Sequence, residues 1–349
     1  MTGGRVYLDW NATAPLRAEA RVAMAAAMDV VGNPSSVHAE GRAAKALIER
    51  ARAQVAEAMG AQASDIVFVS GATEGAALAL AGRGLSGSSV EHDAVRAWVR
   101  QDLAVDGDGA VAVSDPARSV LQLANSETGI VQGLPGGLAL SDMTQGFGKM
   151  PVAFDWSGVE MALISAHKLG GPKGIGALVL KRGLDVAARI KGGGQEMGRR
   201  SGTENLIGIA GFGAAAQAAT QDLDAGLWDQ VAELRNILEL ALDLGEKETI
   251  LVGKDVRRLP NTTCLITPGW KGETQVMQMD LAGFAISAGS ACSSGKVKAS
   301  TVLRAMGFDE RQAACAIRIS IGPATIREEV LRFADAWTAA RKKHRARAA

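Results

Sequence analysis

Short apolar runs alternate along most of the chain with longer segments in which apolar residues recur at helical spacing. This alternation is typical of an α/β fold with a mainly parallel sheet. The stretch "DIVFVSGATEGAALALAG" predicts a strand, a glycine turn and a helix in succession. The same patterns predict helices over 17–30, 38–59, 204–220 and 222–244, and strands near 119–124, 137–141, 161–166 and 174–181.

The pattern changes after Gly245, where shorter elements follow. We expect two domains: a large one over 16–245, and a smaller α/β one formed by 1–15 and 246–349. The smaller domain is predicted to hold strands at 248–252, 262–267, 284–287 and 316–321 with helices at 273–282 and 325–346.

Composition narrows the functional classes. The 349 residues are 47% hydrophobic and carry a net charge of +1, so neither a nucleic-acid partner nor a basic face is expected. No apolar run reaches membrane-spanning length, and the start lacks a signal core, so no membrane partner is expected. The three cysteines are Cys264, Cys292 and Cys315. Their odd number and wide spacing predict a protein without disulfides in the reducing cytoplasm, and no pair has the spacing of zinc ligands, so no metal site is expected.

Two motifs place polar residues where strands end. Thr73, in "SGATEGAAL", lies where a strand turns into a helix, so its hydroxyl and the free backbone N–H groups favour an anion. An ordinary helix cap would use the same residues. Asp142 ends an apolar strand, where a buried carboxylate needs a cationic partner; the alternative is a cap for the following turn.

Lys168, in "SAHKLGGPKGIGALVL", lies 26 residues beyond Asp142, far enough for both to reach one sheet edge. A deprotonated lysine there could form a Schiff base. An aldehyde cofactor with a phosphate and a pyridine nitrogen would use all three features. Its aldehyde would bond Lys168, its ring nitrogen would pair with Asp142, and its phosphate would lie at the Thr73 helix, aided by Ser165 and His167. That cofactor is pyridoxal phosphate. The rival reading of "GGPKGIG" as a nucleotide phosphate loop lacks the required spacing.

The sequence resembles the cysteine desulfurases of the NifS/IscS group, within the class V aminotransferase-like, fold-type I pyridoxal phosphate enzymes. The matching motifs run nearly end to end: "YLDWNATAPL", "GNPSSVHAEG", "SGATE", "EHDAV", "ANSETGIVQ", "SDMTQGFGKMP", "SAHKLGGPKGIGAL", "GGGQEMGRRSGTEN", "LPNTTC", "ISAGSACSSGKVKASTVLRAMG" and "IRISIG". The resemblance implies a large domain with a mainly parallel sheet of seven-stranded type, and a smaller α/β C-terminal domain carrying the catalytic-cysteine loop.

The resemblance also implies roles for individual residues. Lys168 would bond the cofactor aldehyde, Asp142 would hold the pyridinium proton, and Gln145 would hydrogen-bond the phenolic oxygen. His92 would stack on the ring and is a candidate acid or base. The phosphate would be bound by Ala72, Thr73, Ser165 and His167, with Thr203 from the partner subunit of a homodimer. The substrate L-cysteine would be bound by Asn33, Asn125, Ser126 and Arg318.

Cys292 is the residue that would distinguish this reaction from those of other class V enzymes. It lies in "AGSACSSGK", a small, polar, glycine-flanked stretch that suggests a loop. Its thiolate would take the substrate sulfur as a persulfide and leave alanine, and an acceptor such as an iron–sulfur scaffold would receive the sulfur. The other two cysteines fit the reading of buried small thiols.

Several positions depart from the family pattern. Ser126 stands where the family usually has an asparagine, and Ala77 stands where it often has one. Only 17 residues separate Asn125 from Asp142, which predicts that peripheral helices of the large domain are trimmed. Two alternatives stay open at this point. One is a selenocysteine lyase or another class V activity, and the other is a catalytically weak sulfur-relay or cofactor-binding partner protein.

Overall fold

The computed structural model describes residues 4–289 and 299–348. Its helices are α1 (Ala18–Met28), α2 (Ala39–Ala58), α3 (Ala72–Leu80), α4 (Asp93–Arg96), α5 (Leu206–Asp224), α6 (Leu227–Gly245), α7 (Gly272–Leu281), α8 (Thr301–Ala305), α9 (Glu310–Ala313) and α10 (Arg327–Ala348). Its strands are β1 (Val6–Tyr7), β2 (Ser64–Val69), β3 (Ser86–Ser88), β4 (Arg100–Leu103), β5 (Ser141–Asp142), β6 (Met161–Ser165), β7 (Gly176–Lys181), β8 (Ile250–Leu251), β9 (Thr262–Ile266), β10 (Phe284–Ala285), β11 (Ser287–Ala288) and β12 (Ala316–Ser320).

The larger sheet has the strand order β2-β7-β6-β5. Parallel bridges from Leu140 to Val120 and from Ser119 to Ser86 continue it to β3 and β4. With the segment at Val120 counted as a strand, the described residues form the expected sheet of seven-stranded type. It is mainly parallel, which confirms the predicted α/β fold. Only β7 runs antiparallel to its neighbours, because the short link from β6 leaves no room for a crossover helix.

Strand β2 shows how the two faces of this sheet are covered. Its side chains alternate, so Ile66 and Phe68 face a core with α2 and α5, while Val67 and Val69 face a core with α3. Small residues let the helices approach closely: a Cβ on Gly213 of α5 would lie 2.8 Å from the Cα of Ala51 in α2. The helices therefore fix both faces and leave the carboxyl edge of the strands open.

The C-terminal part has its own sheet, in the order β11-β12-β9-β8, and β1 pairs with β10 beside it. Side chains of α6, α7 and α10 cover the C-terminal core, among them Trp228 of α6 and Trp337 of α10, and Trp270 joins them from the turn before α7. The proposed domain division near 245 stays a prediction. Since α6 contributes to the C-terminal core, the packing favours a division near Gly226, between α5 and α6.

Several predicted boundaries were wrong. The strand expected at 284–287 is two short strands in different sheets, β10 and β11, and the break between the two long helices falls at 225–226 rather than at 221. The pattern did not predict β3, β4, α4, α8 or α9, because these are short and β4 is mostly exposed and polar. Within residues 4–289 and 299–348, no helix is both long and apolar enough to cross a bilayer.

The start of β7 gives a first prediction. A Cβ on Gly176 would lie 2.6 Å from the carbonyl oxygen of Ile164 and 2.8 Å from the Cα of Gly71. We expect Gly176→Ala to lower the free energy of unfolding by about 2 kcal/mol or more, measured by urea denaturation. The control is Gly133→Ala, where nothing lies within 4 Å of the added Cβ. Equal effects of the two substitutions would contradict the packing described here.

Candidate active site

A cavity of about 520 Å³ opens at the carboxyl edge of the larger sheet. Because β5 and β6 are parallel neighbours, Asp142 at the end of β5 and Lys168 just after β6 meet at this edge, as their spacing predicts. The cavity is lined by nine of the predicted site residues, namely Ala72, Thr73, His92, Ser126, Asp142, Gln145, Ser165, His167 and Lys168.

One end of the cavity suits an anion. Helix α3 begins there, and its N-cap residue Gly71 makes no side-chain cap. Thr73 lies in the first turn, and Ser165 lines the same cavity. Burial, together with the positive charges of Lys168 and its neighbours, lowers the pKa of His167 to about 4. His167 is therefore neutral at pH 7, and its buried Nδ1 has no partner among the described residues. It can serve as a hydrogen-bonding group but not as a cation.

Asp142 forms another wall of the cavity. It is buried, and its Oδ1 accepts a hydrogen bond from the backbone N–H of Thr144 at 3.0 Å. The structure thus supports both readings of this residue, because it caps the following turn and also lines the cavity.

Lys168 is held at the cavity by the segment that follows β1. Its Nζ donates to the backbone carbonyls of Asn11 at 2.7 Å and Ala12 at 2.9 Å. Gln145 donates through Nε2 to the same carbonyl of Asn11, at 3.0 Å. The amine and the amide that would meet a ligand are therefore positioned against one backbone oxygen.

His92 reaches the cavity from the start of α4. Its Nδ1 accepts a hydrogen bond from the backbone N–H of Ala94 at 3.1 Å, so a neutral ring carries its proton on Nε2. The preceding residue, Glu91, is buried and accepts a hydrogen bond from the N–H of Gln122. Burial, together with the charge of Asp142, raises the pKa of Glu91 to about 8.

Four predicted residues in the described part of the chain do not line this cavity, namely Asn33, Thr203, Asn125 and Arg318. Asn33 is exposed, and its Oδ1 accepts from the N–H of Ser35 at 2.9 Å. Thr203 lines a smaller cavity of about 200 Å³, next to the first. Asn125 uses its side chain in its own turn: Oδ1 accepts from two backbone N–H groups, and Nδ2 donates to the carbonyl of Val90. The substrate role of Asn125 stays a prediction that this geometry does not support.

Arg318 lies behind the cavity wall, on β12. Its Nη2 pairs with Asp9 at 2.8 Å, and its Nη1 donates to the carbonyl of Ser126 at 3.0 Å. The buried Nε has no partner among the described residues. The guanidinium therefore sits one residue away from the cavity, and its contact with a substrate carboxylate stays a prediction.

The predicted nucleophile Cys292 lies outside the described residues. The other two cysteines, Cys264 and Cys315, are buried. Burial, together with the charge of Glu127, raises the pKa of the Cys264 thiol to about 12. A thiolate is therefore disfavoured at Cys264, as expected for a packing residue.

Three residues at the site were not predicted from the sequence. Gln122 lines the cavity, and it alternates with Ala124 and Ser126, so the period of an extended segment could have indicated it. Asn11 and Lys149 give no such local signal. Each lies in a motif of the family, but it reaches the site only through contacts with residues that are distant in sequence.

The raised pKa of Glu91 predicts a pH dependence of stability. The folded state binds this proton more tightly than the unfolded chain, so the stabilisation is present below about pH 4.5 and is lost as the pH rises through about 8. Glu91→Gln removes the titration and keeps the shape. From about pH 5 to pH 8, we expect the unfolding free energy of cofactor-free wild type to fall relative to this variant, by up to about 1.4 kcal/mol per pH unit.

Urea denaturation at several pH values measures this difference. The control is Glu57→Gln, which alters an exposed carboxylate and should follow the wild type. If the difference in unfolding free energy between Glu91→Gln and wild type does not change with pH, Glu91 does not hold its proton as described.

Comparisons with known proteins show the family of this chain. The family model "Aminotransferase class-V" matches residues 6–96 and 122–333. A cysteine desulfurase of Cereibacter sphaeroides is 38% identical over 95% of this chain and 94% of its own. The cysteine desulfurase IscS of Dictyoglomus turgidum is 34% identical over 93% and 91%, respectively. The X-ray structure of a NifS-like protein from Rickettsia africae superposes with a TM-score of 0.86 at 30% identity, covering 96% of this chain and 99% of that one. The chain therefore belongs to the class-V aminotransferase family, and within it to the cysteine desulfurases of the NifS/IscS type.

Proposed function

We propose that the protein uses pyridoxal phosphate to convert L-cysteine to L-alanine, and that Cys292 carries away the sulfur as a persulfide. The observation that carries this proposal is the position of Lys168. Its amine lies at a cavity with an anion-binding helix start at one end and the buried carboxylate of Asp142 in the wall.

The residues present fit pyridoxal phosphate. Thr73, Ser165 and His167 would hold the phosphate, and the unpartnered Nδ1 of His167 is consistent with a missing ligand atom. Asp142 would hold the ring nitrogen and Gln145 the phenolic oxygen, while His92 would lie on the ring face. When bound, the cofactor supplies an electron sink that weakens the bonds at the substrate Cα.

Lys168 is the proposed carrier of the Cα proton. The carbonyls of Asn11 and Ala12 hold its Nζ at the cavity, where a neutral amine can accept a proton from Cα and return one. His92 is the proposed acid or base for the substrate sulfur, because a neutral ring would carry its exchangeable proton on Nε2.

Cys292 is the proposed nucleophile. Its thiolate Sγ forms an S–S bond to the substrate sulfur while the Cβ–S bond breaks, and the electron pair left at Cβ takes a proton to give alanine. The products are alanine and a Cys292 persulfide, so no external oxidant is needed. The burial of Cys264 and Cys315 supports this assignment.

The proposal includes a homodimer and a sulfur acceptor. Asn33 and Thr203 are exposed in a single chain, as are Val31 and Val37 on either side of Asn33. An apolar, exposed flank of this kind suits a second copy, whose phosphate Thr203 would contact. The acceptor is proposed to be a protein such as an iron–sulfur scaffold, in the cytoplasm.

The test of this function is a turnover assay with matched cofactor content. Wild type and Cys292→Ala receive L-cysteine and a reductant, and alanine and sulfide are measured. We expect equal amounts of both products from wild type and a loss on the order of 10²-fold or more in the variant. The control Cys264→Ala alters a buried thiol and should keep its activity. Turnover by Cys292→Ala at the wild-type rate would overturn the assignment and favour lyase or transaminase chemistry.

A further inference from the structure

A second lysine lies behind the cavity, and the proposed reaction gives it no role. Lys149 is 2% exposed. Its Nζ donates to Oδ1 of Asn11 at 2.9 Å and to Oε1 of Gln145 at 2.7 Å. No carboxylate pairs with it in the part of the chain that the structure describes. Burial, together with the charges of Lys168 and Arg318, lowers its pKa well below the usual value.

Packing alone does not explain this residue. A buried cation without a counter-ion is costly. Methionine, an apolar side chain of similar length, would fill the same space, but it would leave Oε1 of Gln145 without the donor that Lys149 supplies. Lys149 is therefore better explained by what its hydrogen bonds fix.

Those bonds fix the orientation of the Gln145 amide. A backbone carbonyl only accepts, and a lysine amine can donate whether or not it is charged. The Gln145 nitrogen must therefore face the carbonyl of Asn11, which leaves its oxygen to accept from Lys149, as the structure has them. Nε2 carries a second hydrogen beyond the one given to Asn11, and Gln145 lines the cavity. This arrangement leaves an N–H to offer to a ligand.

We propose that Lys149 is a positioning residue, which holds the Gln145 amide so that an N–H is offered to the phenolic oxygen of the cofactor. The identity of the cofactor rests on the proposed function. Without Lys149, Oε1 of Gln145 is left buried without its donor, and the amide rotates toward another one. The phenolic oxygen then loses a fixed hydrogen-bond donor.

The experiment is a double-mutant cycle on the protein loaded with pyridoxal phosphate. Lys149→Met, Gln145→Leu and the double variant are compared by the absorption band of the bound cofactor and by its Kd. Each single variant is expected to shift the band in the same direction and to raise the Kd about fivefold, the size of one hydrogen bond. The double variant is expected to match Gln145→Leu, because Lys149 acts through Gln145.

Asn261→Leu is the matched control. Asn261 donates to the same Oδ1 of Asn11, at 3.0 Å, but has no hydrogen bond to Gln145. Its replacement should leave the band in place. An equal shift in this control would assign the effect to the Asn11 network in general and would overturn the proposal.

The remaining outcomes also test the proposal. A Lys149→Met band identical to wild type, or shifts that add in the double variant, overturns the role of Lys149 while the proposed function stands. A wild type that binds no pyridoxal phosphate overturns both. If Lys149→Met does not fold, Lys149→Gln retains an N–H donor and is expected to keep the wild-type band; a shift equal to that of Gln145→Leu would overturn the proposal.

Discussion

The structure depends on the hydrogen bonds of one buried asparagine. The carbonyl of Asn11 accepts from Lys168 and Gln145, and its side-chain oxygen accepts from Lys149. On the opposite side, Asn261 donates to that same side-chain oxygen. Because buried polar groups must be satisfied, these contacts tie the cavity to the C-terminal sheet through Asn11.

The same N-terminal segment also positions Arg318. Asp9 pairs with its guanidinium, and Ser126 accepts from it through a backbone carbonyl while also lining the cavity. A substrate carboxylate near Ser126 would thus approach an arginine that is already held in place. Pre-organisation of this kind reduces the ordering cost of binding. It also explains how two sheets can serve one site, since both are fixed by the residues that follow β1.

The parts of the site that the sequence predicted are those set by local geometry. Thr73 follows from a strand–helix turn, and Asp142 and Lys168 follow from strand ends at one edge of a sheet. The parts that it missed are set by contacts between distant residues. Asn11 meets Lys149 across 138 residues and Lys168 across 157, and no periodicity encodes such pairs.

The fold, like the site, was predicted best where the local sequence pattern determines it. The stretch that holds β2 and α3 forms the predicted strand, turn and helix, and the lengths of α1 and α2 agree with the pattern to within a few residues. The antiparallel course of β7 was not foreseen, because apolar runs give no direction. The substrate role of Asn125 stays a prediction: its motif matches a substrate-binding position, and its side chain is used in a local turn.

The measurement that tests the central claim most directly is the location of the cofactor's covalent bond. Wild type, Lys168→Ala and Lys173→Ala are mixed with pyridoxal phosphate, reduced with borohydride, digested and examined by mass spectrometry. Lys173 lines the same cavity and so controls for proximity alone. The account predicts an adduct on Lys168 in wild type and in Lys173→Ala, and none at this cavity in Lys168→Ala. An adduct on Lys149 or Lys173 in wild type, or no adduct at all, would contradict it.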